Sequence, residues 1–184
     1  MAYSLTFLRN SLGKRFLPHS LLLLAAIGLL PASRLAAQST KDPLTNDQAE
    51  QVRDTGDKPV ERVKLYMKFI EERTSEIHKL ANDTRAQAPN PRLHNLMEEF
   101  TRLADELQDN LETYSEEHAD IRKPLKDLVD RTTKWKASLQ EPKASADYDF
   151  ARKTALDTAD STTELAKKML DDQEKYFAAH KAPK

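Results

Sequence analysis

The sequence predicts an all-α protein: an antiparallel, up-down four-helix bundle preceded by a short capped N-terminal helix. Three observations carry that expectation. Four stretches place apolar residues at steps of three and four, the spacing that gathers side chains on one face of a helix. Beyond residue 37 only Gly56 remains among the glycines, too few for a fold built from hairpins and tight turns. Prolines also fall between the striped stretches, where a helix has to start, bend or stop. With 32% charged residues and a mean hydropathy of −0.73, disorder is the competing expectation. The repeated stripes argue against it, because each can leave water only by packing on another.

The stretch 93–114, LHNLMEEFTRLADELQDNLETY, organises the rest. Leu93, Leu96, Met97, Phe100, Leu103, Ala104, Leu107, Leu111 and Tyr114 share one side, leaving Glu98, Glu99, Asp105, Glu106 and Asp109 outside. So wide a stripe requires covering helices, and three other stretches supply them.

In chain order, residues 38–57 read as a polar lead and a short helix. Thr45 and Gln48 have the spacing of a capping box, with Leu44 and Ala49 as a hydrophobic staple and Gly56 as a left-handed stop. Asp57 is the expected cap of the first long helix, with Pro59 in its first turn. Val63, Tyr66, Met67, Ile70, Ile77, Leu80 and Ala81 form its stripe, interrupted by Arg73 and Thr74. Arg73 is expected to snorkel past the core edge, or to pair with a carboxylate such as Asp105 or Asp109.

Residues 86–91, with Pro89 and Pro91, read as a loop. After the organising helix, Pro124 requires a break between His118 and Lys123, with Asp120 as cap. Ile121, Leu125, Leu128, Val129, Thr132, Trp135 and Leu139 make the third stripe, which ends at Pro142. Ser145 or Asp147 opens the last helix, striped by Tyr148, Ala155, Ala159, Thr162, Thr163, Ala166, Met169, Leu170 and Phe177. The bundle is thus expected over 58–179, with a tail at 180–184.

Charge suggests how the helices meet. The organising helix is acidic, whereas the next carries Arg122, Lys123, Lys126, Arg131, Lys134 and Lys136, so short connections would set these flanks face to face. Asp127 and Arg131, Asp130 and Lys134, Asp149 and Lys153, and Glu164 and Lys168 stand four apart, acid first. Each pair supports its helix by about 0.2–0.5 kcal/mol.

Residues 1–37 read as a secretory signal peptide. Arg9, Lys14 and Arg15 lead without an acid, LLLLAAIGLL follows, Pro31 breaks the run, and Ala36 and Ala37 mark the cut. Ten apolar residues fall short of the roughly 20 a spanning helix needs, so no transmembrane anchor is expected after cleavage. The protein is expected to be exported, periplasmic or extracellular. With no cysteine in the chain, a lipid-modified cysteine, a disulfide, a thiol nucleophile and thiol-linked haem are excluded. The signal holds four of the 29 Lys and Arg and no acid; 25 basic against 30 acidic residues leave the mature chain at −5, no footprint for nucleic acid.

Catalytic and metal patterns are missing from the sequence. No histidine has Glu three positions before it, as a di-iron bundle requires. His78 and His94 flank one loop and are the nearest approach to a metal pair, short of a ligand set. Met67, Met97 and Met169 sit on apolar stripes, where they fill core rather than hold haem. Neither Gly-x-Ser-x-Gly nor a phosphate-cradling loop occurs. The expectation is a non-enzymatic protein without cofactor or metal, a protein-interaction or envelope structural module with a protein partner.

The segment Leu44-Thr45-Asn46-Asp47-Gln48 resembles the LTxxQ motif of the Spy/CpxP-type periplasmic helical chaperones. That family carries the motif twice, and this chain carries it once. The resemblance implies an exported, all-helical, cofactor-free holding chaperone, the alternative function. Leu44, Thr45, Gln48 and Val52 are then the candidate partner surface, with Leu44 expected on an accessible apolar patch continuous with Val52 or Tyr66.

The stripe assignment has a direct check. Replacing Phe100 by Ala is expected to cost about 3–5 kcal/mol in denaturant unfolding, the cost of emptying a core position.

Overall fold

The computed structural model describes residues 42–180; among these are five α-helices and no strand. The expected signal peptide and nearly all of the expected tail lie outside the described residues. The helices are α1 (Asn46–Asp54), α2 (Pro59–Asn82), α3 (Pro89–Glu116), α4 (Arg122–Gln140) and α5 (Asp149–Ala179). The all-α helical bundle read from the stripes is the architecture found. No helix among the described residues is long and apolar enough to cross a membrane.

The four long stripes meet in one core. Val63, Met67, Phe69, Ile70 and Ile77 of α2 join Leu93, Met97, Phe100, Leu103, Leu107 and Leu111 of α3. Leu125, Leu128, Trp135 and Leu139 of α4 and Ala151, Ala155, Ala159 and Ala166 of α5 complete it. Phe100 and Trp135 touch edge to face at its centre, ring centroids 6.0 Å apart at 81°, a favoured aromatic geometry. Thr74, Thr132 and Thr162 are buried here because each hydroxyl returns to its own helix, donating to Glu71 O, Val129 O and Thr158 O.

Several local expectations are corrected. The prolines at 89 and 91 do not lie in a loop: α3 begins at Pro89. A proline in the first turn gives up an N–H that has no helical partner anyway. Asp57 does not cap α2, and Asp120 does not cap α4; the N-cap residues are Lys58 and Ile121, without a side-chain cap. Asp120 instead binds the Arg122 guanidinium at 2.6 and 2.8 Å, which holds its carboxyl below the usual carboxylate range. Neither Ser145 nor Asp147 caps α5, which starts at Asp149 after Tyr148.

The ring order of the helices is the larger correction. α2 packs against α3 and α4, and α5 packs against α3 and α4, so α3 and α4 stand across the diagonal. The cations of α4 therefore do not face the acidic flank of α3. Arg131 pairs with Glu71 of α2, Lys136 with Asp160 of α5, and Lys126 with Glu174 of α5 at 3.0 Å. Pairings between α2 and α3 run in opposite senses along the chain (66 with 106, 73 with 99). Those between α2 and α4 rise together (71 with 131, 78 with 141).

The four expected acid-first pairs do not form. Asp149 and Glu164 reach Arg152 and Lys167, three residues on, and Arg131 is drawn to another helix. Such exposed pairs are weak enough for any nearby charge to redirect them.

The diagonal crossing has an identifiable anchor. Between α3 and α4 the chain turns at His118, whose φ of 54° is left-handed. Gln173 of α5, 5% exposed, fastens that link from both sides. Its Oε1 accepts from Ile121 N at 3.1 Å and its Nε2 donates to Ala119 O at 2.9 Å. Replacing Gln173 by Leu leaves two backbone groups without partners. That variant is expected to lose about 1–3 kcal/mol in urea unfolding, against little change for Lys168→Leu on the exposed face.

Candidate functional site

A set of polar contacts joins α1 and the residues before it to α2 and, through Arg73, to α3. It begins with the capping box the sequence proposes. Thr45 Oγ1 accepts from Gln48 N at 3.2 Å, and Gln48 Oε1 accepts from Thr45 N at 3.0 Å. Both groups stabilise the first turn of a helix only nine residues long. Gln48 does more than cap. Its Nε2 donates to Glu72 Oε2 at 2.8 Å, and its Oε1 also accepts from Arg73 Nη2 at 3.1 Å.

Arg73 is the centre of this set. Its side chain is 12% exposed, and it neither snorkels outward nor pairs with Asp105 or Asp109. Instead Nε donates to Glu99 Oε2 at 2.7 Å, Nη2 donates to Pro43 O at 2.6 Å, and Nη1 lies 3.6 Å from Glu72 Oε2. The planar guanidinium thus reaches α1, α2 and α3 at once, which the point charge of a lysine could not reproduce. The interruption in the α2 stripe is where the N-terminal helix attaches.

A second arginine holds the other end of α1. Arg62 Nε donates to Thr55 Oγ1 at 2.8 Å, and its Nη2 donates to Gly56 O at 2.8 Å and Val52 O at 3.4 Å. These are a hydroxyl and two carbonyls at the C-terminal end of α1, where a cation also meets the negative end of the helix dipole.

The four candidate residues are therefore accounted for. Gln48 is buried, Leu44 and Val52 are half-buried against the core, and Thr45 is exposed but engaged in its cap. The structure lays Gln48 against Glu72 and Arg73 of α2 and packs Leu44 and Val52 against the core. Tyr66, the other end of the expected accessible patch, is 5% exposed. Arg62, Glu72 and Glu99 belong to the site and were not singled out in the sequence. Only the position of Arg62, one turn before Tyr66 on the same flank, hinted at its role.

Beside this crevice Tyr66 donates to Glu106 Oε2 at 3.0 Å. Burial, and then the neighbouring Glu106 carboxylate, push the Tyr66 phenol well above its ordinary value, so it stays a donor. Burial also raises Glu106, against the pull of the Tyr66 hydrogen bond, with Asp42 and Asp109 adding to the rise. Asp105 is raised by burial and by Asp109.

The histidines do not come together. His78 Nδ1 lies 2.6 Å from Glu141, and His94 Nε2 lies 3.2 Å from Glu98. No group of three or more possible metal ligands occurs among the described residues. At the far end, His118 and His180 each stack on Tyr176 with centroids 4.2 Å away. A recess of about 340 Å³ between α4 and α5 has Val129 and Leu170 at its base and Lys126, Lys167 and Asp171 on its rim. Compared with protein-family models, curated proteins and solved structures, the chain matches none.

The raised Glu106 gives the site a pH signature. Folding binds its proton more tightly than the unfolded chain does. The corresponding stability is full below the ordinary glutamate value of about 4.3 and is lost as pH rises through the raised folded value. Glu106→Gln keeps an acceptor for Tyr66 and removes the titration. Urea midpoints compared from pH 4 to 7 are expected to shift progressively in favour of the variant.

Proposed function

We propose that this chain is an exported, non-enzymatic helical-bundle protein, free of cofactor and metal, that works by binding another protein in the periplasm or outside the cell. Its helices follow an up-and-down path with one diagonal crossing, and the short capped N-terminal helix belongs to the binding apparatus. The observation that supports the reading is how the polar groups of the α1 crevice are used. Thr45 closes the α1 cap, and Gln48, Arg62, Glu72, Arg73 and Glu99 all hold one helix against another. Among them no hydroxyl or amine stands beside a free base with room for a reacting atom, which nucleophilic or acid–base catalysis needs.

Two measurements test this. The purified mature chain is expected to show no stoichiometric metal by elemental analysis and no absorbance beyond its Trp and Tyr. A bound metal or a Soret band overturns the cofactor-free reading. Chemical cross-linking in the intact envelope is expected to give a discrete heterologous adduct, and only free chain in every condition counts against a protein partner.

The holding-chaperone alternative is supported by the likeness of Leu44–Gln48 to the LTxxQ motif. A holding chaperone needs accessible apolar surface, and Leu44, Gln48 and Val52 face their own bundle. The binding-protein reading expects no suppression of aggregation of a reduced, unfolding client at near-equimolar ratio and low salt. Suppression there favours the chaperone.

A further inference from the structure

α1 is attached in an unusual way for a helix of this bundle. Nine residues are too few to stay helical in water alone, so its form depends on the crevice beneath it. Gln48 and Val52 on α1, with Leu44 just before its N-cap, are turned to the bundle, yet Leu44 and Val52 are only half-buried. Its polar attachments concentrate on two arginines of α2. Pro43 and Gln48 go to Arg73, and Val52, Thr55 and Gly56 go to Arg62. The joint to α2 contains Gly56 at φ +48° with open space around it, and no side chain caps the helix that follows.

We propose that α1 is a clasp that swings out as a unit about residues 55–58 while α2–α5 stay folded, and that the vacated α2/α3 crevice docks an amphipathic helix of the same kind from another chain. This rests on the binding-protein reading and names its surface and its regulation. The resident helix defines the guest. It carries one apolar side chain just before its N-cap and one in its last turns, as Leu44 and Val52 are placed, with a carboxamide or carboxylate between them for Arg73. Its last-turn carbonyls meet Arg62, as in other helix-in-groove recognition. Glu99 and Glu72 keep Arg73 oriented when α1 departs. Because both arginines give α1 the donors a guest needs, clasp and guest exclude one another. The closed population then lowers the apparent affinity in proportion.

Native-state hydrogen exchange on the full mature chain tests the clasp. Amides of residues 49–54 are expected to exchange through an opening that leaves α3 protected, and Arg73→Met to speed that opening tenfold or more with α3 unchanged. If α1 exchanges only together with α3, or the variant speeds every helix alike, the clasp is wrong. The groove is tested with a fluorescent peptide of residues 42–56 and full chain carrying Leu44→Asp and Val52→Asp, which disable the resident helix. Saturable binding, weakened at least tenfold by adding Arg73→Met, is expected. No binding to a variant that keeps its cooperative melt, or binding indifferent to Arg73→Met, overturns the groove. If that variant does not fold, Gln48→Gly opens the clasp for the same titration with the same outcomes. Should the peptide fail while envelope cross-linking still finds a partner, the groove falls and the binding-protein reading stands.

Discussion

Everything in this fold follows from the need to cover α3. Its stripe from Leu93 to Leu111 is almost entirely withdrawn from water, several positions at zero exposure. A helix apolar over so broad an arc cannot be satisfied by one neighbour. Two flanking helices and a third across the centre are required, and Trp135 reaches Phe100 from that third position. No disulfide can share the task, because the chain has no cysteine, so a vacancy at the centre is compensated by nothing else.

Covering α3 from the diagonal costs the chain its simplest route. The link from α3 to α4 has to cross the end of the bundle, which leaves backbone groups near Ala119 and Ile121 away from solvent. Gln173 satisfies both with one carboxamide, the requirement any buried backbone imposes. The small residues of α5, Ala151, Ala155, Ala159 and Ala166, fit the same logic. They let the longest helix lie close to both α3 and α4 without overfilling a centre already occupied by Phe100 and Trp135.

The outer layer obeys a different physics. α1 has too little apolar area to be drawn in by burial, and its place is set by charged hydrogen bonds from Arg62 and Arg73. Such bonds are directional and lose strength where water competes, so they position a short helix without committing it as the core commits α3. That difference between centre and rim makes a movable element compatible with a rigid scaffold. It also makes the LTxxQ-like segment an intramolecular contact whose exposure is conditional on α1.

The sequence by itself determined the helices: their existence, their buried faces, the capping box at Thr45 and Gln48, and the break before Pro124. These are local properties, set by the 3.6-residue period, by proline geometry and by hydrogen bonds three residues long. Phe69 and Gln173 escaped notice, and Thr74 was read only as an interruption, because their burial depends on a neighbour's surface rather than on their own polarity. Arg73 was visible as an interruption and its partner was not. Glu99 lies 26 positions away on another helix, and charge alone did not separate it from Asp105 or Asp109. Only the tertiary structure decided the ring order. A five-residue link allows α4 to stand beside α3 or across from it, and the choice rests on which packing fills the centre, a property of four helices together that no single stripe contains.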